Sequence, residues 1–272
     1  TTEIYTLSLH DALPIFIKLS ELVSLYRLNI RGVLHIGAHY GEELDFYLAC
    51  GVKHMLFVEP LPDNYRHLLD RFRPLFEPFD AYPAELSLHN ASKQLNIKAL
   101  NLALGNSTGI LPMYVETVNQ SQSSSLLKPK KHLEQYPHIT FDDKVDVKLD
   151  KLDNLLLDPI YNMLNIDVQG FELEVFKGGS QTLARQIDYI YTEVNRDELY
   201  ENCCMIEELD KYLGELGFER MITDWVGGTW GDALYIKKQL APGKLRQRII
   251  RFGFTKRGRK LFRLFGRKRC IG

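Results

Sequence analysis

The stretch VLHIGAHYGEE, Val33 to Glu43, followed by MLFVEP, Met55 to Pro60, decides the fold. An apolar strand runs into a turn of small residues that opens a helix, and the next apolar strand ends on an acid, Glu59. That succession forms the binding half of a nucleotide-type cofactor site. Gly37, Ala38 and Gly41 lack the bulk that would keep a ligand away from the backbone. Glu59 stands 22 residues after Gly37, where a carboxylate can accept hydrogen bonds from both hydroxyls of a ribose. The glycines read GxxxG, and His39 stands where a dinucleotide fingerprint has its second glycine, which disfavours NAD or FAD. S-adenosylmethionine has a ribose and no phosphate, so it needs the close turn and the acid without a phosphate cradle.

The 272 residues, 45% of them hydrophobic, are enough for one large domain with appendages or two small ones. No apolar run approaches the length of a membrane span. Four cysteines without a CxxC pair read as reduced thiols, and the expected location is cytoplasmic. Thr1 to Ile15, TTEIYTLSLHDALPI, resemble the in-frame translation of a sequencing adapter. They are expected to be foreign to the protein, so that the native amino terminus is missing and His10 and Asp11 carry no function.

The formal net charge of -1 hides an uneven distribution. Residues 241–272 hold twelve of the 34 Lys and Arg residues and no acid, leaving 22 cations against all 35 acids in the body. Apolar residues such as Ile249, Phe252 and Leu261 interleave with those cations, the pattern of a basic amphipathic segment suited to an anionic membrane surface, to nucleic acid or to the acidic body itself.

Periodicity places a covering helix over Phe16–Asn29, a helix over Glu42–Ala49 stopped by Gly51, a strand over Met55–Glu59 and a helix over Asn64–Phe72. A Pro-rich, poorly periodic stretch from Pro74 to Leu88 precedes a strand and turn over Leu95–Leu104. Residues 109–147 open with a strand, MYVETV, and continue as a polar, Ser-rich loop excursion broken by Pro129 and Pro137, where substrate selection is expected. VDVKLDKLDNLL reads as a strand and short helix, MLNID as a strand ending at Asp167 before the Gly170 turn and a helix, and DYIYTEVN as a strand ending at Glu193 and Asn195. A helix over Met205–Leu216 and a last strand, GDALYIKK, follow. Strand-helix alternation with near-continuous apolar strands predicts an α/β fold, an open and mostly parallel sheet with helices on both faces, occupying residues 16–240.

In such a sheet ligands bind beyond the C-terminal ends of the strands. The glycine turn, Glu59, Asp167 and the Glu193–Asn195 end all fall there. VLHIGAHYGEE, FVEP, NLALG, LDNLL, LNIDVQGFELEVFKGG, TEVN and GDALYI, in that order over Val33–Lys237, resemble the FkbM-type S-adenosylmethionine-dependent methyltransferases. The most diagnostic segment carries Gln169 where many relatives have Glu, leaving Asp167 as the expected sole carboxylate of the motif. The resemblance implies a class I methyltransferase fold, Rossmann-like with an antiparallel final strand, and methyl transfer to oxygen on a sugar, glycan or secondary metabolite. It further implies that His35 and the Gly37–Gly41 turn, with Ala38, hold the methionine portion and Glu59 the ribose. Asn101, Ala103 and Leu104 would line the adenine, and Asp167 would face the methyl-donor end.

A hydroxyl acceptor must lose its proton, and Asp167, Glu193 and His39 are the candidate bases. Asp167, Glu193 and Asn195 also form an oxygen-rich set of the kind that suits a divalent metal such as Mg²⁺, although Val194 separates the last two. A non-catalytic cofactor- or glycan-binding module is the alternative of a different class. Nucleic-acid methylation through the basic tail is a further one, weakened by the lack of an N/DPPY-type motif.

Overall fold

A computed structural model of the chain describes residues 19–76, 81–226 and 228–253. The expectations for residues 1–18 and 254–272, including the adapter-like start and most of the basic tail, lie outside the described residues. In chain order the elements are α1 (Leu19–Tyr26), β1 (Gly32–Ile36), α2 (Leu44–Ala49), β2 (His54–Val58), α3 (Pro62–Phe72), β3 (Glu85–Asn90), β4 (Leu95–Leu100) and β5 (Ala103–Leu104). There follow β6 (Gly109–Val115), α4 (Lys131–Gln135), β7 (Asp143–Asp150), β8 (Met163–Ile166), α5 (Glu172–Gly178) and α6 (Ser180–Arg185). The chain continues through β9 (Tyr189–Asn195), α7 (Ile206–Glu215), β10 (Phe218–Val226), β11 (Trp230–Lys237) and α8 (Lys244–Gly253).

Eight strands form the main sheet in the order β10-β11-β9-β8-β1-β2-β4-β3. The neighbours from β4 to β9 are parallel, while β11 runs antiparallel to both β9 and β10. β1 is central because its five residues are all buried, and only a strand covered on both faces can be apolar throughout. Side chains alternate across the sheet. Val33, Met55, Phe57 and Met163 enter a core with α1, α2 and α3, whereas Leu34, Ile36, Leu56, Val58, Leu164 and Ile166 enter a second core with α5, α6 and α7. This is the mostly parallel, Rossmann-like fold expected, with its antiparallel strand at β11.

Two strands departed from expectation. β3, antiparallel to β4, begins within the stretch read as poorly periodic, because an edge strand with alternately exposed and half-buried residues has no apolar run to announce it. β10 is equally unannounced, since Glu219, Arg220 and Asp224 interrupt its apolar residues.

The excursion is more ordered than a polar loop. β6 and β7 pair antiparallel along Gly109–Val115 and, with β5 parallel to β7, make a second, three-stranded sheet. The segment between them is folded back onto the body. Ser123, Ser124 and Ser125 are buried, and their small hydroxyls bond backbone that the fold encloses: Ser124 Oγ accepts from the Glu116 N–H and Ser125 Oγ donates to the Gln169 carbonyl. The Ser-rich composition here is a packing solution.

α8, the first part of the basic segment, docks on the body. Ile250 is buried in the α1 core and Arg246 donates to the Leu25 carbonyl, while Leu245 and Ile249 stay exposed. No described helix is long and apolar enough to cross a membrane.

Candidate functional site

From β1 the chain runs outward to β2, the edge strand β3 and β4 between them, then returns to β8 on the other side of β1, and the crevice opens where the direction reverses. Backbone bonds close the strand tips around it. Gly37 and Ala38 donate to the Val58 carbonyl, Asp167 to Ile36 and Glu59 to Leu100. A cavity of 860 Å³ lies there, walled by the β1 turn, Glu59, the Leu102–Leu104 strip, the β8 and β9 tips and the folded-back excursion. That volume suits a cofactor together with an acceptor.

The glycines serve protein contacts. A Cβ on Gly37, whose φ is 77°, would lie 1.8 Å from the Asp167 carbonyl oxygen, so the residue is small to let the β1 and β8 tips meet. Gly41 is not on the cavity wall, and a Cβ there would strike Leu68 of α3. Asn101 is also off the wall, because its amide donates to the Glu59 and Pro60 carbonyls and braces the acid's backbone instead. Ala103 and Leu104 do face the cavity.

Glu59 is 4% exposed and accepts from the backbone N–H of His39 (2.8 Å) and of Leu61 (3.0 Å). Burial pushes its carboxyl up to about 7 against the opposing pull of those bonds and of His39. The Asn64 side chain supplies a third bond, and since a carboxylate can accept about four, capacity remains for a ribose hydroxyl.

His39 faces the cavity but both ring nitrogens are engaged, Nδ1 with Glu42 (2.7 Å) and Nε2 with the Gln120 carbonyl (2.7 Å). Burial opposes its charge, yet these acceptors outweigh it and raise the imidazole above its ordinary value. A ring that donates from both nitrogens has no lone pair for a substrate proton, so the structure leaves His39 clasping the excursion to the turn. His35 also reaches the cavity wall, but its ring lies between Tyr47 (3.3 Å) and Asn165 (3.4 Å), and burial lowers it to about 4.

Asp167 and Glu193 come together as expected, bridged by Gln169, whose amide Nε2 donates to Asp167 (2.7 Å) and to Glu193 (3.1 Å). Gln169 holds a left-handed φ of 53° that aims its amide between them. The Tyr200 hydroxyl donates to the Ser123 carbonyl (2.7 Å) and lies 2.9 Å from Gln169 Oε1, so the excursion abuts this cluster.

Asn195 does not join the pair, being off the cavity wall with both amide atoms buried and unpartnered. The third acid is Glu172, which caps the backbone N–H groups of Val168 and Gly170 from the first turn of α5. Asp167 is therefore not the motif's only carboxylate. Asp167, Glu172 and Glu193 can bring ligand oxygens within 4.8 Å of one another, the spacing a metal ion needs, but the Gln169 amide already supplies a positive partner to two of them. Burial and the neighbouring acids push Glu172 up to about 7 and Glu193 well above the carboxylate range.

The missed residues share one property. Glu42, Glu43 and Asp232 also face the cavity, making six carboxylates with Glu59, Asp167 and Glu193, and no lysine or arginine lines it among the described residues. Burial and nearby Asp167 and Asp224 raise Asp232 to about 8. Glu59, Glu193 and Asp232 are thereby held toward the neutral acid, but with no described lysine or arginine opposite them the wall favours a cationic ligand, which draws them into ionisation, over a phosphate.

A family model described as the methyltransferase FkbM domain matches residues 35–220. The 2-O-methyltransferase NoeI of Sinorhizobium fredii (strain NBRC 101917 / NGR234) is 25% identical over 222 residues, covering 79% of this chain and 82% of that protein. Among solved structures, methyltransferase FkbM of Methylobacillus flagellatus KT aligns with a TM-score of 0.49 and 14% identity over 76% of this chain. The match spans only 43% of that longer protein. The METTL16 methyltransferase domain aligns with a TM-score of 0.44 and 12% identity, over 81% of this chain and 66% of that one.

Proposed function

Because the chain belongs to the FkbM methyltransferase family, we propose that it transfers the methyl group of S-adenosylmethionine to a hydroxyl oxygen of a sugar, glycan or secondary metabolite. The observation that carries this reading is the cavity wall with six carboxylates and no lysine or arginine among the described residues. A dinucleotide would bring phosphates into that field, whereas a sulfonium and an ammonium are drawn to it. The relative NoeI, named as a 2-O-methyltransferase, supports oxygen as the acceptor atom.

When bound, the cofactor supplies an already activated methyl group, so the protein's work is alignment and removal of one proton. Glu59, held by the His39 and Leu61 N–H groups, would take the ribose hydroxyls. Leu102, Ala103 and Leu104 would form an apolar bed for the adenine, and Asp167 would stand toward the methyl-donor end. The excursion stands on the acceptor side, where it would limit the access of water.

Isothermal calorimetry with S-adenosylmethionine and its demethylated product tests the reading. Binding by the intact chain is expected, and Glu59→Gln should weaken it about 100-fold, the loss of two charge-assisted hydrogen bonds. If neither compound binds the unaltered chain, the methyltransferase reading is wrong.

A further inference from the structure

The excursion brings to the cavity a histidine that the reaction just described leaves unused. His132 on α4 is 3% exposed, and its ring is enclosed by Tyr136, Phe141 and Tyr200 at centroid distances of 5.1, 5.2 and 5.5 Å. It lines the cavity, yet its Nδ1 is buried with no hydrogen-bond partner. A buried polar nitrogen left without a partner is unfavourable in a folded protein and points to a ligand. The contrast with the other imidazoles on the wall is plain, since both nitrogens of His39 are engaged and those of His35 face Tyr47 and Asn165. Burial, with the nearby His138, holds His132 down to about 4, so the ring is neutral and carries a lone pair.

Tyr136, one helical turn further on, supplies a complementary group. Its hydroxyl accepts from Trp230 Nε1 (3.0 Å) and from Gln135 Nε2 (2.9 Å), which leaves its own proton to donate. Gln135 is fixed in turn by Thr229, and Lys128, Lys130 and Lys131 are paired with Glu201, Glu198 and Asp197. This end of the cavity is thus uncharged, aromatic and equipped with one acceptor and one donor.

We propose that His132 takes the proton of the acceptor hydroxyl while Tyr136 donates a hydrogen bond to an oxygen of the same acceptor, a neutral polyol ring resting against the Tyr136–Trp230 wall. This rests on the O-methyl-transfer reading. The O–H bond breaks with its electron pair staying on oxygen, which forms the new bond to the methyl carbon. The carbon–sulfur pair goes to sulfur, and the proton goes to His132 and then to water.

The test uses the full chain, labelled S-adenosylmethionine and a panel of neutral sugars and polyols. His132→Gln should bind the demethylated cofactor as the unaltered chain does, keep the acceptor KM within a few-fold and lose about 100-fold or more in kcat. Added imidazole should restore part of the turnover to His132→Ala, and Tyr136→Phe should raise KM more than it lowers kcat. A His132→Gln enzyme turning over within threefold of the unaltered chain would overturn the assignment while leaving methyl transfer intact. Failure of the unaltered chain to bind the cofactor or its product would instead overturn the underlying reading.

Discussion

Glu59 shows how one side chain couples the fold to its ligand. In the free protein burial holds its carboxyl at about 7, above the ordinary carboxylate value that it takes in the unfolded chain. The native state therefore keeps a proton that the unfolded state has lost, and raising the pH from the ordinary carboxylate value through about 7 withdraws stability. On the proposed reading Glu59 meets the ribose in its ionised form, so affinity for the demethylated cofactor should rise as pH approaches 7 and level off above it. Calorimetry in buffers of different ionisation enthalpy should register proton release on binding below pH 7, and an absence of release would separate Glu59 from the diol. Glu59 and Asp167 were legible in the sequence because each ends an apolar run, which puts it at a strand tip. Glu172 and His132 were not. Glu172 reads as an ordinary first-turn acid, and His132 sits among lysines, with only the His132–Tyr136 spacing to hint at a shared face.

At the level of elements, backbone approaches decide where glycine stands. Gly178, the last residue of α5, is small because a Cβ there would lie 1.8 Å from the Gly105 carbonyl oxygen. α5 is thereby pressed against the turn after β5 that lies beside the Leu102–Leu104 strip of the cavity wall. Gly178→Ala should cost about 3–5 kcal/mol, read as a lower denaturant midpoint with an unchanged slope. A cost below about 1 kcal/mol would show that the two backbones can part freely. The parallel strands were legible because burial on both faces leaves continuous apolar runs. β3 and β10 have one exposed or charged side and left no such trace, and the excursion's order depends on partners distant in sequence, notably Gln169 and Tyr200.

For the whole molecule, the sheet order sets the reversal beside β1, and the two cores hold that reversal rigid from either side. The basic segment contributes to one of them through Ile250. Ile250→Asp should lower stability by about 2–4 kcal/mol by placing an unpaired charge in the α1 core, whereas Ile249→Asp, at an exposed position of the same helix, should change it little. Paired thermal melts would check this, and equal effects would mean that α8 does not dock in solution.

The carboxylate wall has a consequence for the whole catalytic cycle. On the proposed chemistry the ligand set enters with one positive charge at sulfur and finishes with none there, but the acceptor's proton stays behind on the protein. Seen from the wall, total charge is conserved until that proton escapes. Deprotonation to solvent then becomes the event that weakens the cavity's hold, so product departure and return of the proton to water are expected to be linked, and slow release in heavy water would be its signature.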